Sequence, residues 1–145
     1  MIIGNFDNGS PFVEGLLVIR RLNIQEPISF LVDTGADLTS LMPADGHRIG
    51  LNYASLRLNQ RRTIYGDSGS IRVWWENAFV LLTEADATER TYRIRLQIFP
   101  DVPRLQDLDS LLGQEIISRW RMVHDPSKGH LGFTVRSADA TRRPP

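Results

Sequence analysis

The chain has 145 residues, a mass of 16.5 kDa and a formal net charge of zero, from 17 basic and 17 acidic residues. That length holds one domain with a core of its own, and zero net charge offers no global field to nucleic acid or an anionic membrane. The absence of cysteine excludes disulfides, thiol catalysis and cysteine-ligated metal. The start, Met1-Ile2-Ile3-Gly4-Asn5-Phe6-Asp7, has neither a basic n-region nor a long apolar h-region, so it does not read as a signal peptide. No window approaches the roughly 20 apolar residues of a spanning helix. A soluble, cytoplasmic protein, or the excised soluble domain of a larger one, is expected, with no membrane and no nucleic acid among its partners.

Residues 12–20 and 27–32 read as two strands joined by the polar stretch Arg21 to Glu26, a hairpin. Asp33 to Asp37 is a turn, and Leu38-Thr39-Ser40-Leu41-Met42 a short strand leaving it. Pro43 to Leu56 reads as loop with a helical turn. Arg61 to Tyr65 and Ser70 to Trp75 are β-prone arms about the glycine-rich tip Gly66-Asp67-Ser68-Gly69, and the second arm continues through Leu82. From Tyr92 to Phe99 the pattern alternates with period two, with Tyr92, Ile94, Leu96 and Ile98 on one face: a half-buried strand. Pro100 to Asp109 is a loop. Gln114 to Trp120 has room for about two turns of helix, ending on a core Trp120. Arg121–Asp125 and His130–Phe133 flank a turn at Pro126–Gly129. Residues 1–136 form a single domain, and the polar stretch 137–145 is expected to be a flexible tail.

The stretch that carries chemistry is Phe30-Leu31-Val32-Asp33-Thr34-Gly35-Ala36-Asp37. An apolar run into an acid delivers a carboxylate from a buried strand to a point where the chain must turn. Burying a carboxylate is unfavourable unless it is hydrogen-bonded or its pKa moves. Asp-Thr-Gly is also ordinary turn chemistry, so the tripeptide gains meaning from its company: the glycine-tipped hairpin at 61–75, then Leu111-Leu112-Gly113 ahead of a short helix.

In that order, the three features resemble the retropepsin-like (retroviral-type) aspartic proteases. The resemblance covers roughly residues 12–133, and three ordered motifs are more specific than one. It implies an all-β, closed or partly closed acid-protease barrel with one short C-terminal helix and a flap hairpin. It also implies an aspartic endopeptidase with Asp33, Thr34 and Gly35 as catalytic residues. Ala36 and Asp37, with the flap residues Tyr65, Gly66, Asp67, Ser68 and Gly69, would then bind the polypeptide substrate as an added strand. A lobe with a single Asp-Thr-Gly supplies one carboxylate, so the second would come from another copy across a two-fold axis: a homodimer. Thr34 would tie the two catalytic loops together, and Gly35 would leave room for substrate backbone.

Asp67-Ser68-Gly69 is a second Asp-Ser-Gly, but it lies too near Asp33 for a second lobe and follows no buried apolar run. It reads as the tip of the flap. One departure stands out: Gln114 occupies the place where retroviral members commonly carry an arginine paired with the acid ending the first motif. Asp37 therefore needs another partner, Arg119 or an arginine elsewhere. No cofactor or metal is expected. His47, His124 and His130 fit no common zinc spacing and read as surface histidines. Trp74 and Trp75 point to opposite faces of a strand, one core and one exposed, and the arginine pairs 20–21, 61–62 and 142–143 read as separate solvated faces. The rival function is a non-catalytic homodimeric module that binds or scaffolds peptides on the same fold.

Overall fold

The computed structural model describes residues 1–66 and 69–145. Its organising pair is β3 (Ser10–Ile19) and β4 (Ile24–Val32), antiparallel from Phe12↔Leu31 to Ile19↔Ile24. The turn between them is tighter than the polar composition implies. Arg20–Leu22 form one 3-10 turn, closed by Asn23 at φ 54, a left-handed position that asparagine tolerates well. β3 also pairs with β7 (Gly69–Thr83), which pairs nearer its start with β6 (Arg61–Gly66) and, on the opposite side, with β8 (Glu89–Ile98). Two short strands complete the sheet: β5 (Ser40–Leu41) runs parallel to β8, and β9 (Leu111–Leu112) runs parallel to β4 while touching β5. The pairing path from β8 through β5, β9, β4, β3 and β7 returns to β8, closing a ring of strands.

Alternation explains what fills the ring. Ile28, Phe30 and Val32 of β4 meet Tyr92, Ile94, Leu96 and Ile98 of β8 in one core with Leu17, Val80 and Leu112. Each such side chain contributes roughly 1.5–3 kcal/mol when fully buried, so the strand that delivers Asp33 is firmly anchored. A second sheet sets β11 (His130–Val135) between β10 (Trp120–Asp125) and the short β1 (Ile2–Ile3), while β2 (Asn5–Asp7) adds to β3.

Several expectations need correction. The helix α2 is a single turn, Gln114–Ile117, because Trp120 leaves it to open β10 opposite Val135. Trp120 is core as expected; its indole N–H donates to Tyr92 Oη at 2.7 Å, and its ring packs on Phe133. A second helix, α1 (Pro43–Arg48), stands where a loop with a helical turn was read. The polar end is not wholly loose: β12 (Ala140–Arg142) pairs with β8, and Tyr92 Oη donates to the carbonyl of Ser137. Trp74 and Trp75 are both half-buried, since β7 changes phase there: Val73 is buried, then Glu76, Ala78 and Val80. Among the described residues no helix is long and apolar enough to cross a membrane.

Candidate active site around Asp33

Asp33 stands one residue past the end of β4, half-buried, with its backbone N–H bonded to the Leu112 carbonyl at 3.2 Å. The turn that follows is built on its carboxylate. Gly35 donates its N–H to Asp33 Oδ1 at 2.9 Å, and Ala36 donates to the Asp33 carbonyl at 3.1 Å. A Cβ on Gly35 would lie 3.3 Å from that same carboxylate oxygen, so a side chain would crowd the donor approach that orients the acid. One carboxylate oxygen is thus fixed by backbone. Thr34, Gly35 and Asp37 are exposed, and Ala36 is half-buried.

The Asp33 loop is locked to the loop at Gly113. Gln114 donates its backbone N–H to the Ala36 carbonyl and its side-chain amide to the Thr34 carbonyl, both at 2.8 Å. Gly113 is buried, and a Cβ there would stand 2.5–2.8 Å from the backbone of Leu38 and Thr39. Its φ is −100, which any residue adopts, so close approach of two backbones is what this position demands. Thr39, fully buried, is the knot behind the loop: its hydroxyl accepts from Gly113 N at 3.1 Å and donates to Glu115 Oε1, which also accepts from Thr39 N at 2.8 Å. Burial, with a smaller push from the charge of Asp37, raises the Glu115 carboxyl above the ordinary carboxylate range against the opposing bonds from Thr39. Ser110 braces the opposite side, donating to Asp45 Oδ2 at 2.6 Å and accepting from Met42 N at 2.9 Å.

Sequence reasoning missed Thr39, Ser110 and Glu115. The signal for Thr39 and Ser110 would have been hydroxyls set directly against apolar strand residues, where each needs a buried partner. Of the partners considered for Asp37, Arg119 is engaged elsewhere: it bonds Asp139 at 2.9 Å and Ser137. The three histidines are exposed, His47 against Asp101 at 2.8 Å.

The hairpin read as a flap is formed by β6 and β7, with Tyr65 85% exposed and Gly69 at φ 114, a conformation that favours glycine. Asp67 and Ser68 lie outside the described residues. A hollow of about 340 Å³ under the hairpin is lined by Ile64, Tyr65, Gly66, Gly69 and Ile71 together with Phe99, Arg104 and Leu105. Asp33 is not in that lining, so within one chain the carboxylate and the hairpin do not share this hollow.

Neither a protein-family model nor a curated protein matches the chain. Solved structures do. A retropepsin-like aspartic protease from Rickettsia conorii superposes with a TM-score of 0.59 at 22% sequence identity, over 90% of this chain and 86% of that one. The EIAV protease complexed with the inhibitor HBY-793 also aligns, at 22% identity over 75% of this chain and 86% of that one, with a TM-score of 0.46. With the Rickettsia protein as the comparison that carries weight, the class is defined: this chain has the retropepsin-like, all-β fold.

Proposed function

We propose that the protein is an aspartic endopeptidase that acts as a homodimer, with Asp33 of each copy meeting at the two-fold axis. The supporting observation is the Asp33 turn. A carboxylate leaves a buried strand half-exposed, is oriented by the Gly35 N–H, and is held by loops interlocked through Gln114. Among the described residues only Oδ1 accepts a hydrogen bond, and that leaves Oδ2 for a water or a second carboxyl.

Two such carboxylates a few Å apart hold one proton between them, since both cannot ionise together; pepsin-type dyads are the standing example. The ionised member takes a proton from a water as that water attacks the scissile carbonyl carbon. The protonated member gives its proton to the carbonyl oxygen. The tetrahedral intermediate then collapses: the carboxyl that took the water's proton gives it to the amide nitrogen, the C–N bond breaks, and the other carboxylate takes back a hydroxyl proton, so the dyad again holds one proton. Thr34, exposed beside the acid, would reach the partner loop. Ala36, Asp37, Tyr65, Gly66 and Gly69, with Asp67 and Ser68 between them, would hold an extended peptide by strand addition.

The test compares wild type with Asp33→Asn on an unbiased peptide library at mildly acidic pH, with the mass in solution measured for both. Cleavage by a dimeric wild type, lost in an equally dimeric variant, is the expected result. An active monomer would overturn the paired-acid mechanism. Peptide binding without cleavage by a dimeric wild type would replace it with the scaffolding module.

A further inference from the structure

The chain as a whole is neutral, yet its arginines are not evenly spread. On the outer face of the sheet, β7 presents Trp75, Asn77 and Phe79, and β8 sets Gln97, Arg95 and Arg93 directly opposite them. Arg20, from the β3–β4 turn, lies 4.8 Å over the Phe79 ring, which Arg93 approaches at 6.0 Å. Arg62 of β6 and Arg95 cover Trp75 at 4.9 and 4.8 Å. Arg20 and Arg62, one from each of two pairs that read in sequence as separate solvated faces, therefore converge on one surface. Between them lies a hollow of about 290 Å³, lined by Arg20, Arg57 and Arg95 beside the aromatic floor. One acid, Glu76, is in its wall, and Arg21 already engages it through both Nε and Nη2. Among the described residues, Arg20, Arg57, Arg93 and Arg95 enter no ion pair, although Asp139 accepts from the backbone N–H of Arg93.

We propose that this arginine-clad face docks an extended acidic polypeptide segment carrying carboxylates at alternate positions. The spacing supports the choice of ligand. Arg93 and Arg95 are two residues apart on one strand face, about 7 Å, which is also the distance between alternate side chains of an extended peptide. Guanidinium forks match carboxylates in bidentate fashion, and resting on a ring fixes each fork before binding. A single-stranded nucleic acid would instead need free aromatic faces on which to stack its bases. Here those faces are taken by arginine. The surface is also remote from the candidate catalytic loop: Arg20 sits at the turn end of β4 and Asp33 past the other end, nine strand residues or roughly 30 Å of strand away. Docking here does not depend on peptide cleavage.

The experiment uses the full chain carrying Asp33→Asn, so that cleavage cannot consume the probe, and follows anisotropy of a short labelled peptide of alternating Glu and Ser. We expect saturable binding that weakens with added salt, no binding of the matching Gln-Ser peptide, and at least about tenfold weaker binding in Arg93→Glu/Arg95→Glu. Arg93→Gln/Arg95→Gln, which keeps side-chain bulk without charge reversal, should also bind more weakly. Arg121→Glu, exposed on the other sheet, should bind as the parent does, and circular dichroism checks that every variant is folded. No binding at roughly millimolar peptide, equal binding in folded Arg93/Arg95 variants, or tighter binding of an oligothymidine than of the acidic peptide would each overturn the proposal.

Discussion

Gly113→Ala is the perturbation that most directly tests how the two loops are held. The added methyl would stand 2.5 Å from the Leu38 carbonyl carbon, 2.8 Å from its oxygen and 2.8 Å from Thr39 N. All three are backbone atoms that no rotamer change can move aside. Relief requires sliding α2 and β9 away from the strand after Asp33, stretching the bond from Gly113 N to Thr39 Oγ1 and those from Gln114 to Ala36 and Thr34. Overpacking of a well-filled site costs about 1–3 kcal/mol before such bonds are lost, so a loss of about 3 kcal/mol is expected, or roughly 6–12 °C in Tm. Urea unfolding followed by tryptophan fluorescence measures it. Gly66→Ala is the control, since a Cβ there meets none of the described residues within 4 Å, and it should stay within about 0.5 kcal/mol of wild type. A Gly113→Ala protein as stable as that control would refute the close-approach account of the Leu-Leu-Gly motif.

Other outcomes follow from the same geometry. Ser110→Ala removes the partner of Met42 N–H and of Asp45 and should lower stability by about 2 kcal/mol in the same urea assay; no loss would mean that water replaces the hydroxyl. Tyr53 has a buried hydroxyl with no partner among the described residues, pushed up to about 12 by burial and then by the charge of Asp101. Tyr53→Phe should therefore be neutral or stabilising by about 1 kcal/mol, and a clear loss would show that the hydroxyl is engaged. Glu115, held above the ordinary carboxylate range, binds its proton more tightly folded than unfolded. Its favourable contribution is present below the unfolded value and lost as pH rises through the folded one. Glu115→Gln should accordingly be more stable than wild type at neutral pH, with the gap closing on acidification; a pH-independent gap would contradict this.

What could be read in the sequence divides by range. The alternation of Tyr92, Ile94, Leu96 and Ile98 is a local property of a half-buried strand, and β8 forms with those four side chains inward. The same holds for the hairpins β3–β4, β6–β7 and β10–β11, each announced by turn residues between β-prone arms. The parallel registers Val32↔Leu112 and Leu41↔Ile98, which frame Asp33, leave no local trace; only the order of the motifs hinted at them. Ile116, Ile117 and Trp120 share a helical spacing that favours a longer α2, yet the Tyr92 hydroxyl and the Phe133 ring draw Trp120 into the sheet. Tertiary packing overrode a local pattern. Trp74 and Trp75 were misplaced because strict alternation assumes a constant face, and β7 passes from the hairpin to the ring with a change of phase.

The departure at position 114 turns out to be part of a consistent rearrangement. With an arginine there, the expectation from the resemblance was an ion pair to the acid that closes the first motif. Glutamine ties the loop through neutral bonds to the carbonyls of Thr34 and Ala36, so the tie does not require a charge on Asp37. Asp37 is consequently left exposed, and the nearby negative charge it adds falls on Glu115, whose burial already disfavours ionisation. The tie between the two loops therefore rests on the side-chain amide and the backbone N–H of Gln114, and not on an ion pair to Asp37.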